Sequence, residues 1–378
     1  MARRTVFIPY SPKTILNKGK RADHWFWTRY SAYPYLGCQH GCEFCYCRER
    51  KYSPYDDMDD FAYVIRVKEN APDLLRRALG RVPVDVVFTG DYQPAERKYQ
   101  LSRRMLEVCY ELGFPVFVLS RSPLVLRDLD LLQAIQQRAR ATVAFSVIAT
   151  PESDNYGRVR QMERLAPPAE KRFAAMERLA AAGISTGVCL MPVLPGLCDD
   201  PANLDAVVRW TAGHGGQFVL AGGLTLSDQQ KAYFFSVLER HFQDLLGVYR
   251  TVYPPESYGP GSTWSLNLLR QVRTACQKHG IRDRQARPII PGDKRSLNKR
   301  VEQALAEKAY DLELEAAPEW RLWAYRKAAW AVADLETDIG LVVRTMGVRG
   351  LQSLPGVSPD LAREIAGLVG QLQSPTLI

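Results

Sequence analysis

Short apolar stretches alternate with amphipathic stretches through the middle of the chain, from about residue 60 to about residue 250. Short apolar runs bounded by polar or small residues are typical of buried strands. Strands are therefore predicted at 62–67, 84–89, 116–120, 142–148, 186–192 and 216–221. The intervening segments carry apolar residues at helical spacing. Helices are predicted at 96–112, 127–138, 168–182, 203–212 and 227–245.

A serial βα pattern predicts parallel strands that are joined by right-handed crossovers. Five units are clear and the strand at 62–67 adds a sixth, which is fewer than the eight units of a complete TIM barrel. The fold class is therefore predicted to be α/β, with a partial, open (βα)6 TIM-like barrel. Its active site is expected at the C-terminal ends of the strands.

The pattern changes at a segment rich in Pro, Gly and Ser, residues 253–262, which is predicted to be a boundary. Beyond it, helices are predicted at 263–279 and 320–335, with a basic loop at 282–299 between them. The predicted organisation is a barrel domain at 1–255, a helical extension or linker at 256–310 and a small all-α domain at 311–378.

Composition and charge say more about the cellular location of the protein and its class of partner than about its reaction. A net charge of +9 and a pI of about 9.1 weakly favour an anionic partner such as nucleic acid. No apolar run approaches the ~18–20 residues of a membrane span, and the first residues lack a signal-peptide apolar stretch. We therefore expect a cytoplasmic protein with no membrane partner and no disulfide framework. Cys109 and Cys276 lie in predicted helices and are expected to be core thiols.

Three cysteines, Cys38, Cys42 and Cys45, lie in one short loop. Thiolates are soft ligands that suit iron–sulfur clusters, and three of them leave one iron of a four-iron cluster open to a small molecule. A structural zinc site with Cys47 as the fourth ligand is the alternative. Because only one residue separates Cys45 from Cys47, tetrahedral chelation by both is awkward, and Cys47 is predicted not to be a ligand.

The loop and the segments around it resemble the radical S-adenosylmethionine (SAM) superfamily. The resemblance covers about residues 10–250 and is closest to the branch that contains spore photoproduct lyase. The matching segments are Asn17-Lys18, Trp25-Phe26-Trp27, Tyr30-Ser31, Pro34-Tyr35, Gly37, His40-Gly41, 67–71, 92–96, 120–124 and 127–132.

The resemblance implies a [4Fe–4S] cluster on the three loop cysteines and SAM chelated to its open iron. One electron entering the cluster would break a sulfur–carbon bond of SAM, and the resulting 5′-deoxyadenosyl radical would abstract a hydrogen atom from the substrate. The protein would orient cofactor and substrate and exclude competing reactants. An electron donor such as flavodoxin or ferredoxin is implied as a partner.

The resemblance also implies which barrel residues contact SAM. The turn Thr89-Gly90-Asp91 is expected near the SAM amino group, with a simple turn as the alternative. Arg121 is expected to pair with the SAM carboxylate, because a guanidinium suits bidentate pairing. The other residues expected on the SAM side are Tyr46, Ser120, Ser146, Pro195 and Gly196.

One position departs from spore photoproduct lyase. That enzyme has a cysteine that supplies a hydrogen atom to the product radical, and Phe88 takes its place here. Phenylalanine cannot supply this atom, so two other catalytic donors are considered. Cys198 is expected on an exposed loop above the barrel mouth, and Tyr92 follows the SAM-contact turn. An incidental loop cysteine and a packed tyrosine are the alternatives.

The end of the chain resembles a helix–hairpin–helix, and residues 317–372 are similar to the small N-terminal domain of X-family DNA polymerases. Backbone amides at such a hairpin and at the start of its second helix can hold a phosphate. A helical cap or a protein-contact module is the alternative. The residues expected to bind DNA are Leu354, Pro355, Gly356, Val357, Ser358 and Arg363.

These features together favour a radical SAM enzyme that acts on DNA, with repair of a damaged base as the specific form of the hypothesis. One alternative keeps the radical chemistry and places it on RNA or a peptide. Another is a nucleic-acid-binding protein whose metal site is structural.

Overall fold

The computed structural model describes residues 3–373, which form two compact units. The first, here called the barrel unit, comprises the described residues up to Gly19 together with Thr28–Gln285. The second, here called the helical unit, comprises Lys20–Trp27 and the described residues from Ala286 onward.

The barrel unit contains two sheets. Its strands are β1 (Val6–Pro9), β2 (Asn17–Lys18), β3 (Thr28–Ser31), β4 (Tyr35–Leu36), β5 (Val64–Val67), β6 (Val86–Thr89), β7 (Val116–Ser120), β8 (Ala141–Ser146), β9 (Ser185–Val193) and β10 (Phe218–Gly223). The main sheet has the order β10-β9-β8-β7-β6-β3-β2, in which only the edge strand β2 is antiparallel to its neighbour. Six parallel strands confirm the predicted partial barrel.

Helices follow the strands of the main sheet and cover it. They are α1 (Asp60–Tyr63), α2 (Ala71–Leu79), α3 (Glu96–Tyr99), α4 (Leu101–Leu112), α5 (Leu129–Arg138), α6 (Tyr156–Met162), α7 (Ala169–Ala181), α8 (Pro201–Gly213), α9 (Asp228–His241), α10 (Leu246–Val252) and α11 (Ser262–His279). All six residues of β8 are buried, as expected for a strand covered on both faces. Cys109 and Cys276 are buried, which confirms their prediction as core thiols.

The sixth parallel strand is not the one that was predicted. The strand at 62–67 is β5, which lies in a separate three-stranded sheet between β1 and β4. The sixth parallel strand of the main sheet is β3, which pairs with β6. Its sequence, Thr-Arg-Tyr-Ser, is short and polar, so no apolar run marks it.

The helix predicted at 96–112 is two helices, α3 and α4. Gln100, between them, has a left-handed backbone conformation with φ of 50°. The buried Glu96 carboxylate accepts a hydrogen bond of 2.8 Å from the Ser102 amide at the start of α4. A side-chain acceptor therefore caps the second helix where a continuous helix would use a backbone carbonyl.

The helical unit has its own core. Its helices are α12 (Ser296–Leu314), α13 (Glu319–Asp334), α14 (Ile339–Gln352) and α15 (Pro359–Gln373). Helix α13 matches the predicted helix at 320–335. Residues from all four helices pack together, among them Val301, Leu305, Val332, Leu351 and Ile365. In the described residues, no helix has both the length and the apolar character needed to cross a lipid bilayer.

The segment Lys20–Trp27 packs against helix α13 in this unit. The guanidinium of Arg21 contacts the Asp334 carboxylate at 2.6 Å and lies 5.3 Å from the centre of the Trp330 ring. The centre of the His24 ring lies 5.2 Å from that of Trp27 and 6.1 Å from that of Trp330. A segment from the start of the chain thus belongs to the same unit as its end, which sequence order did not predict.

Candidate active site

The cysteine loop follows β4 and is fixed by backbone hydrogen bonds. The Cys38 amide donates to the Phe61 carbonyl at 2.8 Å, and the Gly41 and Cys45 amides donate to Cys38 and Cys42 at 2.9 and 3.2 Å. Each of these turns brings the next cysteine back towards the previous one. The spacing of the three cysteines thus corresponds to two consecutive turns of backbone.

Arg48 holds this loop from within the core, a role that sequence reasoning missed. Only 2% of Arg48 is exposed. Its guanidinium donates to the carbonyls of Cys42 and Gly41, each at 3.2 Å, and lies over the rings of Phe61 and Tyr233. Nothing in the local sequence marks an arginine as buried, because its partners come from distant segments.

The surroundings shift the pKa of each of the three thiols differently. Burial raises the pKa of Cys38, and burial raises the pKa of Cys42 to about 11, a shift that the charge of Arg121 opposes. A hydrogen bond from the Cys47 thiol lowers the pKa of Cys45 to about 7. Cys47 therefore acts as a hydrogen-bond partner of Cys45.

Gln93 ties the loop to the end of strand β6. Its side-chain oxygen accepts from the Gln39 amide at 3.0 Å, and its nitrogen donates to the Gly37 carbonyl at 3.1 Å. The same nitrogen donates to the Asp91 carboxylate at 3.1 Å. Burial raises the pKa of Asp91 to about 7. The hydrogen bond from Gln93 favours the charged form and only partly opposes this rise. The Asp91 carboxyl therefore lies beside the cysteine loop and keeps its proton to a higher pH than a free aspartate does.

Arg121 extends from the end of β7 towards the loop and is held by a buried acid. Its guanidinium donates to the Glu163 carboxylate and, at 3.2 Å, to the Met191 carbonyl. Glu163 also accepts from the fully buried Arg172 at 2.9 Å. His40 lies near both arginines, and burial together with their charges lowers its pKa to about 3. The structure thus brings Arg121 together with the three thiols, and adds Glu163 and Arg172, which the sequence did not indicate.

The other predicted SAM-side residues lie at strand ends or in adjacent turns. Thr89 is buried, and a Cβ atom at Gly90 would lie 2.5 Å from Val118, so packing against β7 accounts for this glycine. The Ser120 hydroxyl bonds to the backbone of Ser122, and the Ser146 carbonyl accepts from Arg172. The remaining three, exposed Tyr46 after Cys45 and the turn Pro195-Gly196 after β9, are also in the barrel unit.

The two predicted hydrogen-atom donors are both enclosed. Cys198 has no exposed surface and its sulfur accepts a hydrogen bond of 3.1 Å from the Leu194 amide, so the expected exposure was wrong. The segment after β9 folds inward there, which a Pro-Gly turn in the sequence does not reveal. The Tyr92 ring is buried, and its hydroxyl donates to the Asp128 carboxylate at 2.9 Å. Both residues are thus in contacts that stabilise the fold.

The donor set of the loop fits a cluster with three thiolate ligands. Three thiols come from one loop, one of them has a lowered pKa, and a cationic side chain faces them. Among residues 3–373, no group of three or more His, Cys, Asp or Glu side chains is arranged to hold a single metal ion. A four-iron cluster takes one protein ligand per iron, so its ligands stand further apart than those of one ion.

Comparison with known proteins agrees with this geometry. The model of the radical SAM superfamily matches residues 33–205. An uncharacterized protein of Mycobacterium tuberculosis is 31% identical over 242 residues, which are 62% of this chain and 70% of that protein. The Radical SAM Nalpha-GlyT isomerase of a Pseudomonas phage is 27% identical over 197 residues, which are 50% of this chain and 38% of the isomerase.

Among solved structures, a mutant of spore photoproduct lyase superposes with a TM-score of 0.53 at 13% identity, over 73% of this chain and 81% of the lyase. That similarity shows a shared fold. The [4Fe–4S] cluster and SAM are the cofactors of the superfamily, and the thiols, Asp91 and Arg121 form a site of matching chemistry. This chain belongs to the radical SAM superfamily.

Proposed function

We propose that this radical SAM enzyme acts on DNA and repairs or modifies a base. The observation that carries the proposal is the pair of helices α14 and α15 with the hairpin between them, in a chain whose barrel has the fold of spore photoproduct lyase. The similarity to the radical SAM isomerase of a Pseudomonas phage supports the radical chemistry in this proposal.

The barrel residues have distinct parts in this proposal. Cys38, Cys42 and Cys45 would hold the cluster. When bound, the cluster and SAM supply a 5′-deoxyadenosyl radical that abstracts a hydrogen atom from the substrate. Free SAM carries an ammonium and a carboxylate, and the site presents the Asp91 carboxyl and the Arg121 guanidinium to match them. The bond between Arg121 and Glu163 fixes the direction of the guanidinium.

Two features of the hairpin between α14 and α15 support phosphate binding in this proposal. Gly356 has φ of +76°, a conformation that glycine adopts at little cost. The Ser358 hydroxyl accepts from the Leu361 amide at 3.3 Å and begins α15. The first amides of a helix carry partial positive charge and suit a phosphate oxygen.

Charge is unevenly divided between the two units. The helical unit has 14 Lys and Arg against 13 Asp and Glu, whereas the barrel unit has 36 against 28. The positively charged barrel unit would therefore supply most of the general electrostatic attraction to a polyanion such as DNA. In the helical unit, geometry at the hairpin would hold the phosphate, because net charge there is close to zero.

The test uses the full chain, reconstituted with iron and sulfide under anaerobic conditions. The reduced protein is incubated with SAM and with ultraviolet-damaged DNA, undamaged DNA, RNA or no nucleic acid, and both 5′-deoxyadenosine and altered nucleosides are measured. We expect altered nucleosides only with DNA. Product on RNA alone, or SAM cleavage that no nucleic acid changes, would contradict the proposal and favour RNA or a peptide as substrate.

A further inference from the structure

Three exposed tyrosines of the barrel unit lie together at its surface. Tyr46, Tyr52 and Tyr258 are 46%, 44% and 52% exposed. The ring centres of Tyr46 and Tyr52 lie 5.5 Å apart, and the Lys51 ammonium lies 4.8 Å from the ring centre of Tyr52 and 5.9 Å from that of Tyr258. Single exposed aromatic rings are ordinary on a protein surface, whereas rings linked in this way form a continuous patch. These four residues are here called the tyrosine patch.

The tyrosine patch lies at the end of the sheet where the active site is expected. Tyr46 directly follows Cys45, the last predicted cluster ligand. The Tyr258 carbonyl accepts a hydrogen bond of 2.7 Å from the amide of Leu226, which comes shortly after the C-terminal end of β10. Because active sites of such barrels lie at the C-terminal ends of the strands, the patch borders the mouth of the barrel.

Tyr33 lies between the tyrosine patch and the interior of the barrel unit. Its ring centre is 6.0 Å from that of Phe88, near the end of β6. Burial raises the pKa of the Tyr33 hydroxyl, and Cys47, Tyr52 and Asp91 each add to this rise, so Tyr33 is close to all three. Aromatic side chains thus extend from the surface towards the turn that was predicted to contact SAM.

The backbone beneath the tyrosine patch is fixed. The Tyr52 amide donates to the Glu49 carbonyl at 2.9 Å, and the buried Glu49 carboxylate pairs with Lys51 at 2.9 Å. The Lys231 ammonium donates to three carbonyls of the segment before Tyr258, at 2.8, 2.8 and 3.0 Å. Rings that are already held in place lose little conformational freedom when a ligand binds to them.

The tyrosine patch also offers positive charge to a ligand. Arg50 is exposed, and among the described residues its guanidinium has no ion-pair partner, since Asp228 accepts from the Arg50 amide instead. Lys51 pairs with Glu49 but remains exposed. Single-stranded nucleic acid is bound by this combination, because its bases stack on aromatic rings and its phosphates contact cations.

We propose that the tyrosine patch binds an unpaired DNA base, which stacks on the rings of Tyr52 and Tyr258 while a neighbouring phosphate contacts Arg50. The proposal rests on the proposed function and adds that the target base is bound outside the double helix, in single-stranded or locally opened DNA. Bases inside a duplex are stacked on one another and cannot reach the rings. Tyrosines are also common at protein interfaces, but a protein seated here would close the mouth that a substrate must enter.

The test measures stacking directly, in the full, cluster-loaded protein with SAM. The probe is a DNA single strand that carries 2-aminopurine, a fluorescent base whose emission falls when it stacks, and the matched duplex is measured beside it. The variant is Tyr52→Ala with Tyr258→Ala, and the same pair of changes to Phe keeps both rings. The control is Tyr110→Ala, because Tyr110 is also exposed and the Arg138 guanidinium lies 5.5 Å from its ring centre.

We expect the alanine pair to lose about tenfold or more in affinity for the single strand, together with the quenching, at every salt concentration, because stacking involves no charge. Arg50→Gln should instead reduce the dependence of affinity on salt. The phenylalanine pair and Tyr110→Ala should bind as the parent does.

Two results would overturn the tyrosine patch as a base-binding site and leave the DNA proposal standing. One is a parent protein that binds the duplex as tightly as the single strand. The other is an alanine pair that behaves as Tyr110→Ala does. A parent protein that binds neither form of DNA would contradict both proposals, so the two failures can be told apart.

Discussion

The Arg172 guanidinium donates to the Glu163 carboxylate at 2.9 Å in the core of the barrel unit, and the same carboxylate accepts from Arg121. Neither Arg172 nor Glu163 faces solvent to a significant degree. One buried negative charge thus holds two positive charges in place, and one of them faces the cysteine loop.

Replacing the shared acid should therefore be costly. In Glu163→Gln, the buried Arg172 and the partly buried Arg121 lose their counter-charge, and we expect the free energy of unfolding of the barrel unit to fall by about 3 kcal/mol. Hydrogen exchange of β8 and α7 peptides along a urea series reports this unit separately from the helical unit. Glu152→Gln is the control, because its ion pair with Arg209 is exposed to solvent and should contribute far less to stability. Equal costs for both variants would contradict the shared-charge account.

The cysteine loop makes a prediction about iron content. Cys38→Ala, Cys42→Ala and Cys45→Ala should each leave the reconstituted protein with little iron, because each removes a ligand. Cys47→Ala should keep its iron, because this thiol hydrogen bonds to Cys45 and is not expected to be a ligand. Iron and sulfide assays with anaerobic spectroscopy measure this. Loss of iron in Cys47→Ala equal to that in the other three would indicate a four-thiolate site instead.

Asp91 should make the stability of the cluster-free protein depend on pH. Burial raises its pKa to about 7 in the folded state, above the ~3.9 of an unfolded aspartate, so the folded state binds more protons between these values. Stability should therefore decline as pH rises from about 4 to 7, and Asp91→Asn should remove that part of the decline. Urea unfolding at pH 5 and pH 8 measures it, with the exposed Asp73→Asn as control. An unchanged pH profile in Asp91→Asn would show that this carboxyl is ionised throughout.

The strands of the barrel could be predicted from sequence because they are buried on both faces and appear as apolar runs. Strand β3 was not predicted because Thr28–Ser31 is short and polar. Its place in the sheet depends on pairing with β6, which is distant in sequence. The interruption of the predicted helix at Gln100 was not predicted either, because it depends on the Glu96 side chain, which caps α4.

In the candidate site, too, only the features that are local in sequence could be predicted. Cysteine spacing identifies the loop, because the three ligands are local in sequence. Arg48, Glu163 and Arg172 carry no local signal, since each acquires its role from segments that meet only in the fold. The burial of Cys198 could not be predicted either, because its hydrogen bond comes from a turn that local composition does not distinguish from an open loop.

Cys198 should prove structural. Its sulfur is enclosed and accepts a backbone hydrogen bond, so Cys198→Ala removes a buried contact and should cost about 1–2 kcal/mol. The nature and proportions of the reaction products should not change, because an enclosed thiol cannot reach a substrate radical. Product analysis alongside urea unfolding separates the two effects. A stalled or misdirected reaction in a variant of near-normal stability would restore Cys198 as a hydrogen-atom donor.

The hairpin of the helical unit can be tested by two glycine substitutions of opposite expectation. Gly356 has φ of +76°, so Gly356→Ala forces a left-handed conformation that costs about 1–2 kcal/mol and should disturb the phosphate-binding turn. Gly367 lies exposed within α15, where alanine should stabilise the helix by up to ~1 kcal/mol. We expect Gly356→Ala to weaken binding of the full chain to DNA several-fold across a salt series, and Gly367→Ala to bind as the parent does. If both variants bind DNA as the parent does, the hairpin is a structural cap and the DNA contacts lie on the basic barrel unit.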